Sequence, residues 1–297
     1  MTRRRRTPDP SEPNGGHGFG GFLRSLLSGV PWSEREEAEE KLELPRPASG
    51  RLRIHNANGK TSVIGEERDD IEVRATKVGR AESEAAAQKL VQEIRILHEL
   101  GPDEALSLET DVPSKWNRRG HANLELRVPR GTSVEVVASN GRVSLEGLHG
   151  KVVARSSNGS VELKDVVGDM SVATSNAKVC CCQTCGHLVA RSSNGKIELE
   201  GHRGSIDAST SNGLIHCTLE QLGSQGVALA TSNGRIVLDL PETVDAEVDI
   251  RVDNGVIRND RELCKAIRER SGELRGRLGK GGATIRLRTS NGSVSLR

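Results

Sequence analysis

The chain has 297 residues, and 43 basic against 41 acidic side chains leave a net charge of +2. So even a balance excludes a large nucleic-acid footprint. An aromatic content of 1%, with no Tyr, two Trp and two Phe, removes the stacking platforms that single-stranded bases need and the flat surfaces that usually hold sugar rings.

Residues 1–45 read as a disordered basic and Gly/Pro-rich tail. Arg3 to Arg6 are followed by Pro8, Pro10, Pro13 and a glycine cluster from Gly15 to Gly21, a composition that buries no core. The segment 19–32 carries Phe22, Leu23, Leu26, Leu27 and Val30. It is too short for a transmembrane span and lacks a small-x-small cleavage site. It reads as a linker, or as a weak contact with a membrane or partner with Arg24 on its polar side. The expected location is cytoplasmic, the alternative being an exported, envelope-associated protein. The acidic run Glu34 to Glu40 is expected to form a short solvated helix.

Residues 46–297 read as one β-solenoid domain. Its N-terminal region, 50–130, has strands around Leu52–Ile54, Val63–Ile64, Ile71–Val73, Leu106–Leu108 and Leu124–Val128. Between them, 81–100 is expected to be one amphipathic helix, since Ala85, Leu90, Ile94 and Leu97 fall on one face and Gly101-Pro102 ends it. Such a helix would cover an end or side of the stack.

Regular coils occupy 131–257. Ser-Asn-Gly recurs, once as Ser-Asn-Ala, with asparagines at Asn140, Asn158, Asn176, Asn194, Asn212 and Asn233, at spacings of 18, 18, 18, 18 and 21 residues. A fixed period in this range marks a solenoid. Three residues after each Asn stands Val143, Val161, Val179, Ile197, Ile215 or Ile236; two further on stands Leu145, Leu163, Cys181, Leu199, Cys217 or Leu238. That alternation is a strand with one buried face. A second strand follows Gly150, Gly168, Gly186 and Gly204, with Val152, Met170, Leu188 and Ile206 inward. The fold class is therefore all-β, a parallel β-helix or β-solenoid with coils of about 18 to 21 residues and one helical insert. A right-handed path is favoured, as for parallel crossovers generally. The Asn-Gly corners are expected to need positive φ, and the stacked Asn amides to bond in a ladder. In 258–297, Glu262 to Arg270 reads as a short helix, and the last repeat strand is expected to seal that end.

Taken together, a helix-interrupted β region, the turn Val128-Pro129-x-Gly131, Ser-Asn-Gly coils and a Gly-rich segment before a last Ser-Asn-Gly resemble the bacterial DUF4097 family of candidate adhesins over Gly50 to Arg297. The resemblance implies a β-solenoid, envelope-associated proteins, no established enzymatic activity, and no catalytic residues to carry over.

No other pattern specifies chemistry. Cys182-x-x-Cys185 has metal-ligand spacing, and His149 or His187 could add an imidazole, but a second Cys pair is missing. Plain thiols are the default, with Cys181 and Cys217 as core residues and no cofactor expected. Gly279-Lys280-Gly281-Gly282 lacks the spacing of a phosphate loop. Glu146, Glu162, Glu198 and Glu200 alternate with Lys164, Lys196 and Arg142 as a solvated face rather than a polysaccharide-cleaving site. The chain therefore reads as a non-enzymatic scaffold or adhesin-like binding protein with a protein or envelope partner. The alternatives are an end-to-end polymerising, cytoskeleton-like protein and, third, a polysaccharide-acting enzyme.

Overall fold

The computed structural model describes residues 34–116, 119–267 and 272–297. The expectations for the arginine run, for segment 19–32 and for 268–271 lie outside them. Strands β1 (Glu34–Pro45), β2 (Arg51–Asn58), β3 (Thr61–Glu66) and β4 (Asp70–Ala81) precede helix α1 (Glu84–Glu93). Then come β5 (Arg95–Leu100), β6 (Leu106–Asp111), β7 (Gly120–Pro129), β8 (Ser133–Asn140), β9 (Val143–Glu146), β10 (Val152–Ser156), β11 (Val161–Lys164), β12 (Val167–Thr174), β13 (Val179–Cys182) and β14 (Cys185–Ser192). The remainder are β15 (Ile197–Asn212), β16 (Ile215–Asn233), β17 (Ile236–Asp239), β18 (Ala246–Asn259), β19 (Cys264–Ile267), β20 (Glu273–Leu278) and β21 (Ala283–Leu296).

The chain is a β-solenoid. Val161 pairs in parallel with Val143 on one side and Val179 on the other, and Met170 lies between Val152 and Leu188. Each inward residue thus stacks on its equivalent one coil away. The two strand columns enclose a thin core of Val, Ile, Leu and Ala, with Cys181 and Cys217 fully buried in it. A second inward column runs two residues before the ladder asparagines. Thr174, Thr210, Thr231 and Thr289 each donate a hydroxyl to the carbonyl of a corner glycine below, at 3.0 to 3.3 Å. These bonds satisfy backbone acceptors that the corner would otherwise bury unpaired.

The Asn-Gly corners take the expected positive φ at Gly59 (120°), Gly141 (146°), Gly255 (152°) and Gly292 (154°), but not throughout. No ladder asparagine has positive φ, and neither do Gly159, Gly195, Gly213 or Gly234. Glycine is needed there for close approach: a Cβ on Gly159, Gly195, Gly213 or Gly234 would stand 1.6 to 2.3 Å from the carbonyl oxygen of the corner below. Only Ala177 carries a Cβ in this column of regular coils. The left-handed residues lie at the opposite corner, at Gly147 (φ 68°), Asp165 (51°), Gln183 (51°) and Gly201 (65°). The chain thus bends three residues before the glycines expected to make the turn, and Gly168, Gly186 and Gly204 (φ 127° to 138°), though not Gly150, have positive φ as well.

The two ends depart most. Residues Glu34 to Glu40 are not helical, and the folded part begins before residue 46: β1 pairs antiparallel with β4 along its whole length, tucking Leu42 and Leu44 onto the core. Its other residues are largely Glu, which suits an edge strand. The helix covers only Glu84–Glu93. Ser83 caps it by accepting from the Ala86 amide at 3.3 Å, and Ile94 leaves the helical region. The rest of the segment, β5, pairs antiparallel with β6, because Ile94 and Ile96 alternate inward as strand residues do. α1 packs Ala87, Leu90 and Val91 against β4 and β1, where Gly79 lets it sit close.

Coil order also differs from chain order. The coil of β2 and β3 lies between that of β6 and β7 and that of β8 and β9. At the other end β21 slots between β16–β17 and β18. The outermost coil is therefore β18, and the last strand of the sequence does not seal the stack. Cys264–Ile267 is a strand of the β19–β20 hairpin, not a helix; β20 pairs antiparallel with β18. The segment Gly279–Gly282 arches over the start of β18, with the Lys280 amide donating to Asp245 Oδ1 at 2.7 Å. A carboxylate of the chain itself occupies the Lys280 amide, and the Gly281 amide donates to the Leu278 carbonyl.

Candidate functional site

The corner asparagines form one continuous column. Asn140 Nδ2 donates to Asn58 Oδ1, Asn158 to Asn140, Asn176 to Asn158, Asn194 to Asn176, Asn212 to Asn194, Asn233 to Asn212, Asn291 to Asn233 and Asn254 to Asn291, all at 2.9 to 3.1 Å. Every amide points the same way. Identical coils force this: an amide that donates downward leaves its oxygen facing upward, which sets the next one. Asn58, Asn254 and Asn291, divergent in spacing, extend the column beyond the six asparagines of the regular period.

The sulfur and imidazole candidates do not converge. Cys182 lies half-exposed on β13 beside Lys164 and Glu200, whereas Cys185 and His187 open β14. His149 is separated from Cys185 by the strand of Val167, which pairs with both. That places them two strand spacings apart, about 9 to 10 Å, too far to share an ion. Among the described residues no group of three His, Cys, Asp or Glu side chains is arranged to hold a metal. Burial pushes the Cys181 and Cys217 thiols well up, and pushes Cys180 up less, with Lys178 opposing.

Polar pairs lie inside the core: near its N-terminal end Asn56 Nδ2 donates to Thr61 Oγ1 at 3.1 Å, both buried. Eight residues after the ladder Asn, the inward corner position is Leu148, then Val166, then Thr184, then His202. Thr184 Oγ1 and His202 Nδ1 meet at 2.9 Å, both buried, and burial lowers the imidazole to about 4. The repeat register would have exposed this pair, because it puts polar residues into an apolar column. Near the N-terminal end, Glu72 meets Arg74 (2.7 Å), Arg68 (3.3 Å) and Lys41 (3.5 Å). Chiefly through the Arg74 hydrogen bond, with burial opposing and Arg68 adding, its carboxyl falls to about 2.

Among the concavities that face solvent, two bear on binding. The larger, of about 740 Å³, lies where β1, β4 and β7 turn antiparallel beside β3, and presents Lys41, Lys60, Arg74, Glu39, Glu125 and Asn123. The second, of about 510 Å³, follows the hydroxyl side of the corner ladder over several coils, with Ser211, Ser232 and Ser290 along it and Arg251, Arg288 and Asp253 at its outer end. Arg288 is held by Asp249 at 2.9 Å. The groove is long, polar and built from repeat positions, so it can meet a ligand at several equivalent points but supplies no nucleophile with a base.

The profile described as Toastrack DUF4097 matches residues 49–297. The chain belongs to the DUF4097 family. No curated protein matches it. Solved structures similar to this DUF4097 chain include a candidate adhesin from Bacteroides fragilis NCTC 9343 (11% identity, 90% of this chain and 99% of that one, TM-score 0.40). Another is a candidate lipid-binding protein from Parabacteroides distasonis ATCC 8503 (9%, 90% and 98%, 0.40). A third is a candidate cell-adhesion protein from Clostridium sporogenes ATCC 15579 (11%, 89% and 99%, 0.26). The DUF4097 assignment rests on the profile match. No helix among the described residues is long and apolar enough to cross a membrane.

Proposed function

We propose that the protein is a non-enzymatic binding scaffold whose ligand lies along the serine side of the corner ladder. The observation that carries this reading is the groove of about 510 Å³, in which exposed Ser211, Ser232 and Ser290 recur at one-strand intervals beside Arg251 and Arg288. A ligand that fits has hydroxyl or anionic groups repeated along its length, such as an acidic glycan. Shallow repeated contacts give avidity rather than tight single-site binding. End-to-end assembly is opposed at the β1 end by the row of glutamates on that edge strand.

Ser232→Glu fills the groove from an exposed position without touching the core and sets a carboxylate where an anionic ligand would lie. On an array of acidic and neutral polysaccharides, the wild type is expected to retain acidic members and the variant to lose them. Equal retention by both proteins, or retention of none by the wild type, removes this reading.

A further inference from the structure

Among the described residues the ladder has one unfinished end, and that end brings together the two groups of a spontaneous main-chain reaction. Asn-Gly is chemically the least durable dipeptide. The glycine amide nitrogen attacks the asparagine Cγ, ammonia leaves, and the resulting succinimide is opened by water to aspartate or isoaspartate. The reaction needs a free glycine N–H and an asparagine amide able to rotate toward it. This chain carries the dipeptide at almost every corner, so the fold has to suppress it.

Inside the stack the asparagine side chains are engaged throughout, and so are the glycine amides of several corners. A mid-ladder asparagine donates through Nδ2 and accepts through Oδ1, as Asn212 does with Asn194 and Asn233. The neighbouring glycine amide is bonded too: Gly59 donates to the carbonyl of Asn140, Gly213 to that of Asn233 and Gly234 to that of Asn291, at 2.9 to 3.1 Å. In each case the acceptor belongs to the next coil toward the C-terminal end of the stack. Asn254-Gly255 lies on the outermost coil. Among the described residues no coil follows, so the repeat offers no carbonyl to the Gly255 amide and no amide to Asn254 Oδ1. Asn254, Gly255 and Val256 are exposed. At the opposite end Asn58 accepts from Asn140, its own side chain is partnered, and Gly59 is bonded, so that corner is closed.

We propose that Asn254 is a deamidation site of the folded protein and that the rest of the ladder is a shield against the same chemistry. Loss of the Asn254 amide removes the donor to Asn291 and sets a second carboxylate beside Asp253; isoaspartate also lengthens the main chain by one carbon. The column then ends at Asn291.

The test is peptide mapping by mass spectrometry of the full chain, held in mildly alkaline buffer either native or unfolded in urea, with ammonia loss timed at each Asn-Gly. The readout is the native-to-unfolded rate ratio at each site, which cancels local sequence effects. The ratio is expected to be highest at Asn254, which breaks only its bond to Asn291, and lower by about tenfold or more at Asn58, Asn212 and Asn233, where the asparagine oxygen and the glycine amide are also bonded. A ratio at Asn254 as low as at those three overturns the proposal, and so does loss at those three at the unfolded rate.

Discussion

Replacing His202 by Gln removes a titration while keeping a side chain that can pair with Thr184. The imidazole is fully buried, and burial takes it from its ordinary 6.5 down to about 4 in the folded protein. The unfolded chain therefore binds this proton first. Stability from the neutral imidazole is complete above about pH 6.5 and falls as pH drops from there toward 4. At one pKa unit per 1.36 kcal/mol, the full loss is about 3 kcal/mol, of which about 2 kcal/mol has already gone at pH 5 relative to pH 7.5. Urea unfolding followed by circular dichroism at steps between those two pH values measures it. Subtracting the His202→Gln curve from the wild-type curve cancels the carboxylates common to both. The difference is expected to fall by about 2 kcal/mol across that window. Parallel curves would refute the reasoning, since they would mean that the core gives His202 room to ionise.

Asn176→Ala removes one ladder bond to Asn158 and one from Asn194; at an exposed corner this is expected to cost about 1 to 2 kcal/mol by chemical denaturation. Asn176→Asp keeps the acceptor, loses the donor and turns a carboxylate toward Asn158 Oδ1, so it should cost more than Ala at neutral pH and less once acidified. Gly147→Ala puts a side chain at φ 68° with its Cβ 2.9 Å from the Gly65 carbonyl oxygen, and is expected to lower stability by at least about 1 to 2 kcal/mol. With a thiol reagent on the native protein, exposed Cys264 should react first, while Cys181 and Cys217, buried and with raised thiols, stay silent until the chain unfolds.

The repeat and its inward columns were legible because coil stacking maps sequence period directly onto space. Asn158 lies over Asn140 because 18 residues make one circuit, and Val161 is buried for the same reason. The groove was legible only as a list of Ser, Thr and Arg; its concavity depends on how Arg251 and Arg288 of the outer coils stand against the serine column. The buried Thr184–His202 pair was present in the same register but needed the corner positions to be aligned before two polar residues stood out in an apolar column.

By itself, then, the sequence determined what repeats: the strands, the core, the ladder and the family. Local hydrogen-bonding period and side-chain alternation are properties of a single coil and survive copying. The tertiary structure alone decided what does not repeat, at both ends of the stack. An acidic run such as Glu34–Glu40 has no intrinsic conformation strong enough to choose helix over strand, so the free edge of β4 chose for it. Which coil neighbours which is set by where an open sheet edge finds a partner, and that is why β21 lies inside β18 and leaves Asn254 at the end of its column.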